Sequence, residues 1–93
     1  MVIENDTDTR VSWFCYNSTD VFKWIALGSG NLEPNGGQFA YEPPDNGPNT
    51  YFVRFTHEGG GLELAGGIVN KDGQKIALEV TNGGSMHAII TPI

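Results

Sequence analysis

The sequence predicts an all-β fold, a small antiparallel β-sandwich or flattened barrel of about eight short strands. Three observations lead there. Short segments alternate apolar and polar side chains with a period of two. Clusters of Gly, Asn, Asp and Pro separate those segments at hairpin spacing. No segment carries a convincing helical period, and the thirteen glycines stand well above the usual roughly 7%.

The clearest stretch runs over residues 68–90. Ile76, Leu78 and Val80 alternate with Lys75, Ala77 and Glu79, which places three branched side chains on one face. Asn70-Lys71-Asp72-Gly73 precedes this strand and Thr81-Asn82-Gly83-Gly84 follows it. Gly and Asn tolerate the positive φ of tight hairpins, so the stretch reads as a three-stranded antiparallel meander. Its apolar face needs a second layer from the rest of the chain.

Taken in order, residues 2–4 form a short first strand and 5–9 a polar turn. Residues 10–17, Arg-Val-Ser-Trp-Phe-Cys-Tyr-Asn, form the second strand. Val11, Trp13 and Cys15 share the inward face; Phe14 and Tyr16 then lie outside, where two aromatics call for an interface or a ligand. Residues 21–27 read as a third strand with ambiguous alternation, since a helix capped by Thr19-Asp20 would be too short before Gly28. Residues 28–37 read as a loop with a turn at Pro34-Asn35-Gly36. Residues 38–42 form a short strand with Phe39 and Tyr41 inward, stopped by Pro43 and Pro44. Tyr51, Val53 and Phe55 alternate with Thr50, Phe52, Arg54 and Thr56 in a half-buried strand. Residues 57–61 are a glycine-rich tip, Leu62 and Leu64 open another strand, and Gly66-Gly67 mark a bulge or a close backbone approach.

Length is enough for one domain, 1–93, with a modest core. The protein is acidic and glycine-rich: its formal charge is −6, and Arg10, Lys23, Arg54, Lys71 and Lys75 form no stripe. Nucleic-acid binding by phosphate neutralisation is therefore not expected, nor is attraction to anionic lipid by charge alone. A neutral ligand fits better. Cys15 is the sole cysteine, so the fold is no disulfide scaffold. No apolar run approaches the roughly 18 residues of a membrane span, so no transmembrane segment is expected. The opening residues lack a signal-peptide pattern, and the expected location is cytoplasmic, or outside the cell after release without a recognisable signal peptide.

Catalysis is not expected. His57 and His87 are the two histidines, Ser85 near His87 lacks a nucleophile-elbow pattern, and Cys15 in mid-strand reads as a small buried hydrophobe. Glu33, Glu42 and Asp45 make a carboxylate pair only by chance proximity. Glu4-Asn5-Asp6-Thr7-Asp8 offers oxygens to calcium but lacks the Gly and distal Glu of an EF-hand loop, so a solvated turn is the reading, with no metal and no cofactor.

A binding site is the better expectation. Carbohydrates present apolar ring faces and hydroxyls, and they are held by an aromatic platform with amides and carboxylates beside it. The loop from Tyr41 to Tyr51 has those parts. Its three prolines pre-organise it; Asp45, Asn46 and Asn49 supply donors and acceptors; Tyr41 or Tyr51 supplies a ring. Trp24 is the other candidate platform, with burial in the core as its alternative.

The opening Glu4-Asn5-Asp6-Thr7-Asp8-Thr9, the aromatic strand Val11-Ser12-Trp13-Phe14-Cys15-Tyr16, and Leu32-Glu33-Pro34-Asn35-Gly36-Gly37 leading into Phe39 and Tyr41 resemble small all-β proteins of fungal fruiting bodies, the lectins and the aegerolysins. The resemblance covers the first half of the chain and transfers no functional residue. It implies ligand binding at a cell surface, defence or storage. The expected function is thus a non-enzymatic, lectin-like carbohydrate-binding protein. The alternative is a membrane-binding or self-assembling defence protein of aegerolysin type, motivated by Phe14, Tyr16 and Phe52 outside. Edge strands make a homo-oligomer compatible with either.

Overall fold

Eight strands stack as two four-stranded sheets in a computed structural model that describes residues 1–18, 26–44 and 49–93. The strands are β1 (Val2–Asn5), β2 (Val11–Asn17), β3 (Gly28–Leu32), β4 (Gly37–Ala40), β5 (Thr50–His57), β6 (Glu63–Asn70), β7 (Gln74–Val80) and β8 (Met86–Pro92). One sheet has the order β4-β1-β7-β8 and the other β3-β2-β5-β6. Every neighbouring pair is antiparallel except β1 and β7, which run parallel. The sheets do not close into a barrel, which decides between the two expected forms: the fold is a small sandwich.

The period-two pattern sorts side chains into the core as expected. Val11, Trp13 and Cys15 on β2 meet Val53 and Phe55 on β5 across the ladder, and all five are buried. Ile3, Ile76 and Leu78 cover them from the other sheet. Burying each such side chain is worth about 1.5–3 kcal/mol, and these residues form one contiguous cluster with Met1, Leu32, Tyr51 and Val69.

Two expectations on strands are corrected. The stretch 68–90 is not a three-stranded meander. β7 and β8 form a continuous hairpin around Gly84, whose φ is 84°. β6, however, pairs with β5 in the opposite sheet, and the turn at Gly73 carries the chain from one layer to the other. A turn signal marks a reversal, and a reversal serves a crossing between layers as well as a hairpin. Residues 28–32 are strand β3 rather than loop. Gly30 faces inward opposite Trp13, and a Cβ there would lie 2.9 Å from the indole Nε1. The bare strand makes room for the ring. The expected strand over 21–27 falls mostly outside the described residues, and Ala26 and Leu27 precede β3 without belonging to it.

The polar opening is only in part a solvated turn: Asp6, Asp8 and Thr9 are exposed, but two of its side chains are not. Asn5 is 0% exposed and Thr7 is also buried. The Asn5 amide Nδ2 donates to the carbonyls of Thr9 (2.8 Å), Leu32 (3.3 Å) and Glu33 (3.2 Å), sharing its two hydrogens among three acceptors. Its Oδ1 accepts from the Thr7 N–H and hydroxyl. The backbone joins in: Gly36 N–H donates to the Asn5 carbonyl and Asn35 N–H to that of Thr7. Asn35, at φ 60°, and Gly36, at φ 100°, form the turn expected from Pro34-Asn35-Gly36. One side chain thus binds the connection leaving β1 to the turn between β3 and β4, which spans the two sheets.

Asn5→Ala is expected to lower unfolding stability by about 2–4 kcal/mol, because buried carbonyls and the Thr7 hydroxyl lose their partner together. Urea denaturation checks this; the midpoint falls while the slope stays unchanged.

Candidate functional site

Of the residues expected to bind a ligand, the structure describes Tyr41, Asn49 and Tyr51. Tyr51 is a core residue at 1% exposure, with its hydroxyl donating to the Pro44 carbonyl at 3.2 Å, so it offers no ring face to a ligand. That corrects its expected role as a platform; its inward register on β5 beside Val53 and Phe55 decides it. Tyr41 is half-buried. Its ring centroid lies 5.0 Å from Trp13 and 6.4 Å from Phe39, and burial raises its phenol above the usual value. Phe39 stacks on Trp13 at 5.7 Å yet remains 49% exposed, because β4 is an edge strand. Asn49 is exposed, and its carbonyl accepts from Lys71 N–H. Trp24, Asp45 and Asn46 lie outside the described residues.

A better-formed arrangement lies on the outer face of β3-β2-β5-β6. An open cleft of about 210 Å³ is lined by Ser12, Phe14, Ser29, Gly30, Asn31 and Gly59, all uncharged. Register builds it. Ser12 and Phe14 alternate with the core residues of β2, and Asn31 and Ser29 lie directly opposite them on β3. The Ser12 hydroxyl donates to Asn31 Oδ1 at 2.6 Å and accepts from Gly59 N–H at 2.9 Å. This fixes the Asn31 side chain and leaves its Nδ2 as a donor. The same bond holds the tip after β5 over the sheet. Gly59, Gly60 and Gly61 have φ of 87°, 103° and 106°, a left-handed run that side chains resist, and a Cβ on Gly60 would stand 4.0 Å from the Phe14 ring.

Phe14 is also held from the β5 side. The Arg54 guanidinium sits 5.2 Å from its centroid and 5.8 Å from that of Tyr16, and Arg54 Nη2 donates to the Tyr16 hydroxyl at 3.1 Å. Tyr16 meets Phe52 at 6.4 Å and is itself buried. The outward aromatics Phe14, Tyr16 and Phe52 were legible in the alternation of β2 and β5. The polar partners Ser29 and Asn31 were not, since serine and asparagine in a glycine-rich stretch read as turn residues. At the rim, Arg10 bridges Glu33 (2.9 Å) and Glu58 (2.7 Å), linking the β3–β4 turn to the tip after β5.

The opposite outer face carries a carboxyl pair. Glu4 accepts from the Gln38 amide and from Lys75 Nζ at 3.4 Å. A hydrogen bond from Asp6 holds Glu4 below its usual range. Desolvation first, and then the bond to Glu4, raises Asp6 from 3.8 to about 6. Cys15 is buried in mid-core, and burial pushes its thiol up to about 12. Among the described residues no group of three or more His, Cys, Asp or Glu is placed to hold a metal ion. The oxygens of the opening segment are committed in part to the chain itself, since both polar atoms of the Asn5 side chain have protein partners. No helix is long and apolar enough to cross a membrane among the described residues.

No family model matches the chain, and no similar curated protein or solved structure was found.

Asp6 sets a pH dependence with a definite sign. Its folded-state pKa lies above its unfolded value, so the folded protein holds the extra proton between roughly pH 4 and 6, and stability falls as pH rises through that window. Glu4, whose pKa is lowered, acts in the other direction, but below its usual 4.5. Asp6→Asn is therefore expected to flatten the decline in melting temperature between pH 4.5 and 6.5, as checked by thermal melts across that range at constant ionic strength.

Proposed function

We propose that this is a non-enzymatic protein that binds a neutral, hydroxyl-rich ligand, a carbohydrate, in the cleft around Phe14. The observation that supports this reading is the pairing of an aromatic ring with uncharged hydroxyl and amide groups held in fixed positions. A sugar needs an apolar surface for its C–H face and directional partners for its hydroxyls. Phe14 supplies the first; Ser29, the Asn31 amide and the backbone beside Gly59 supply the second. Ser12 acts behind them by fixing Asn31. The bonds made before a ligand arrives lower the ordering cost of binding. Uncharged lining residues also suit a neutral ligand better than a phosphate or a carboxylate.

A second reading has its own observation. Leu62 is 81% exposed just after the glycine tip, and Ile68 is half-exposed opposite Phe52 on the same outer face. Exposed apolar residues also suit insertion into a neutral lipid interface. The two readings separate on substitution, because Leu62 does not line the cleft.

Phe14→Ala and Asn31→Ala are each expected to weaken glycan binding by about tenfold or more, or about 1.4 kcal/mol, with Asn31→Ala leaving the melting temperature nearly unchanged. A glycan array followed by titration calorimetry is the measurement. Asn49→Ala serves as the comparison on the Tyr41–Tyr51 loop. Loss of binding there with Phe14→Ala intact would move the site back to that loop. A blank array together with co-sedimentation on neutral liposomes that Leu62→Ser abolishes would replace the carbohydrate reading with the lipid one.

A further inference from the structure

The four sheet edges of this sandwich are unequal. β3 has five residues, two of them Gly28 and Gly30. β4 has four residues and is followed closely by Pro43 and Pro44. β6 carries Glu63 and a register shift against Phe55 and Thr56. Short length, glycine, proline, charge and bulges are the devices that keep an edge from pairing with another strand. β8 has none of them before its last residue. It runs seven residues, Met-His-Ala-Ile-Ile-Thr-Pro, in unbroken register with β7. His87 is its one ionisable residue, and Pro92 comes only at its end. Its other side has no neighbouring strand among the described residues.

The ladder shows which groups that edge offers. In an antiparallel pair, opposed residues alternate between exchanging both backbone bonds and exchanging neither. Thr81 N–H donates to the Ser85 carbonyl and Ile93 N–H to the Gly73 carbonyl. Both belong to the same register as the β7–β8 pairs. His87, Ile89 and Thr91 therefore spend their backbone groups on β7. The N–H and C=O groups of Met86, Ala88 and Ile90 point the other way. The Asp6 N–H bond to the Leu78 carbonyl, on the far side of β7, fits the same phase.

We propose that β8 pairs antiparallel with β8 of a second copy, about a two-fold axis at Ala88, so that one sheet runs continuously through both copies. The strand is self-complementary in that register. Ala88 faces Ala88 of the other copy, and Met86 faces Ile90, each pair exchanging both of its N–H···O=C bonds. Alanine is the smallest side chain of the strand and sits on the axis. On the outer face His87 meets Ile89, so no like-charged carboxylates are opposed, even though each chain carries −6. The acidic residue nearest in register, Glu79, lies on β7 opposite His87, one strand removed from the edge. A second copy satisfies every freed group of the edge with an identical strand, whereas an unrelated peptide would have to match both its length and its apolar pattern.

Sedimentation over a concentration series, with hydrogen exchange of single amides, tests this. The expected species at high concentration has twice the 10.1 kDa mass of the chain. The amides of Met86, Ala88 and Ile90 slow by about tenfold or more from low micromolar to near-millimolar protein. Those of His87, Ile89 and Thr91 are protected throughout. Ala88→Pro removes only a donor that faces the open edge, and Ile89→Lys places a charge beside the axis. Both are expected to remain folded by circular dichroism and to sediment as monomers; if Ala88→Pro fails to fold, Ile89→Lys alone decides. Three results would overturn the proposal: a wild-type monomer at near-millimolar concentration, a dimer that survives the folded edge variants, or edge amides protected equally at every concentration. The last would mean that the edge is covered within a single chain.

Discussion

The Asn5 side chain is the joint on which this sandwich depends. β1 lies inside one sheet, between β4 and β7, yet the chain must leave it and start β2 in the other sheet. Asn5 and Thr7 turn inward while the residues between and after them face water, and the buried part of the turn leaves backbone groups that need partners. Asn5 meets three carbonyls with its amide and two Thr7 donors with its oxygen. Since two of those carbonyls, of Leu32 and Glu33, lie at the end of β3 and just beyond it, the same side chain sets where the β3 edge sits against β1. A carboxylate could accept here but not donate, and an apolar residue could do neither, so the geometry requires an amide.

That joint has consequences at a distance. With β3 fixed by its end at Leu32, the strand runs back along β2 so that Gly30 meets Trp13 and Asn31 meets Ser12. The inner side of the pairing is a ring packed against a bare glycine. The outer side is the hydroxyl–amide contact that floors the cleft. Core and cleft are two faces of one register, and a one-residue slip would exchange them. Arg10 reinforces the arrangement from outside by joining Glu33 to Glu58, but an exposed ion pair contributes little to stability. Its effect is better sought in where it holds the tip after β5.

Period-two alternation made the strands β1, β2, β5 and β7 legible, and with them the core residues Val11, Trp13, Cys15, Val53, Phe55, Ile76 and Leu78. It also revealed the outward aromatics of β2 and β5. What it could not reveal was sheet membership. Asn70-Lys71-Asp72-Gly73 and Thr81-Asn82-Gly83-Gly84 look alike as turns, yet one crosses between layers and the other closes a hairpin. The close approach expected at Gly66-Gly67 is present, because a Cβ on Gly66 would stand 2.8 Å from the Phe52 ring. β3 was hidden for a related reason: its sequence carries no apolar alternation because the rings of Trp13 and Tyr41 fill the space its side chains would take. Tyr51 lies beside a pre-organised loop in sequence, but its register on β5 commits it to the core.

The distribution of charge gives the two outer faces different characters. On the face of β4-β1-β7-β8, Glu4, Asp6 and Glu79 lie near Lys75, and desolvation together with the neighbouring carboxylates raises Asp6. On the face of β3-β2-β5-β6, the lining of the cleft is uncharged, Arg54 beside it lies over aromatic rings, and Arg10 at the rim is paired with Glu33 and Glu58. Crowded carboxylates repel anions, whereas an uncharged aromatic cleft carries no such bias. The carbohydrate proposed for the cleft would bind on the second face. The β8 edge belongs to the first sheet, so pairing through it would leave the cleft of each copy open. The two-fold axis would fix the two clefts relative to one another, and that geometry turns weak single-site binding into avidity wherever a ligand repeats at a matching spacing.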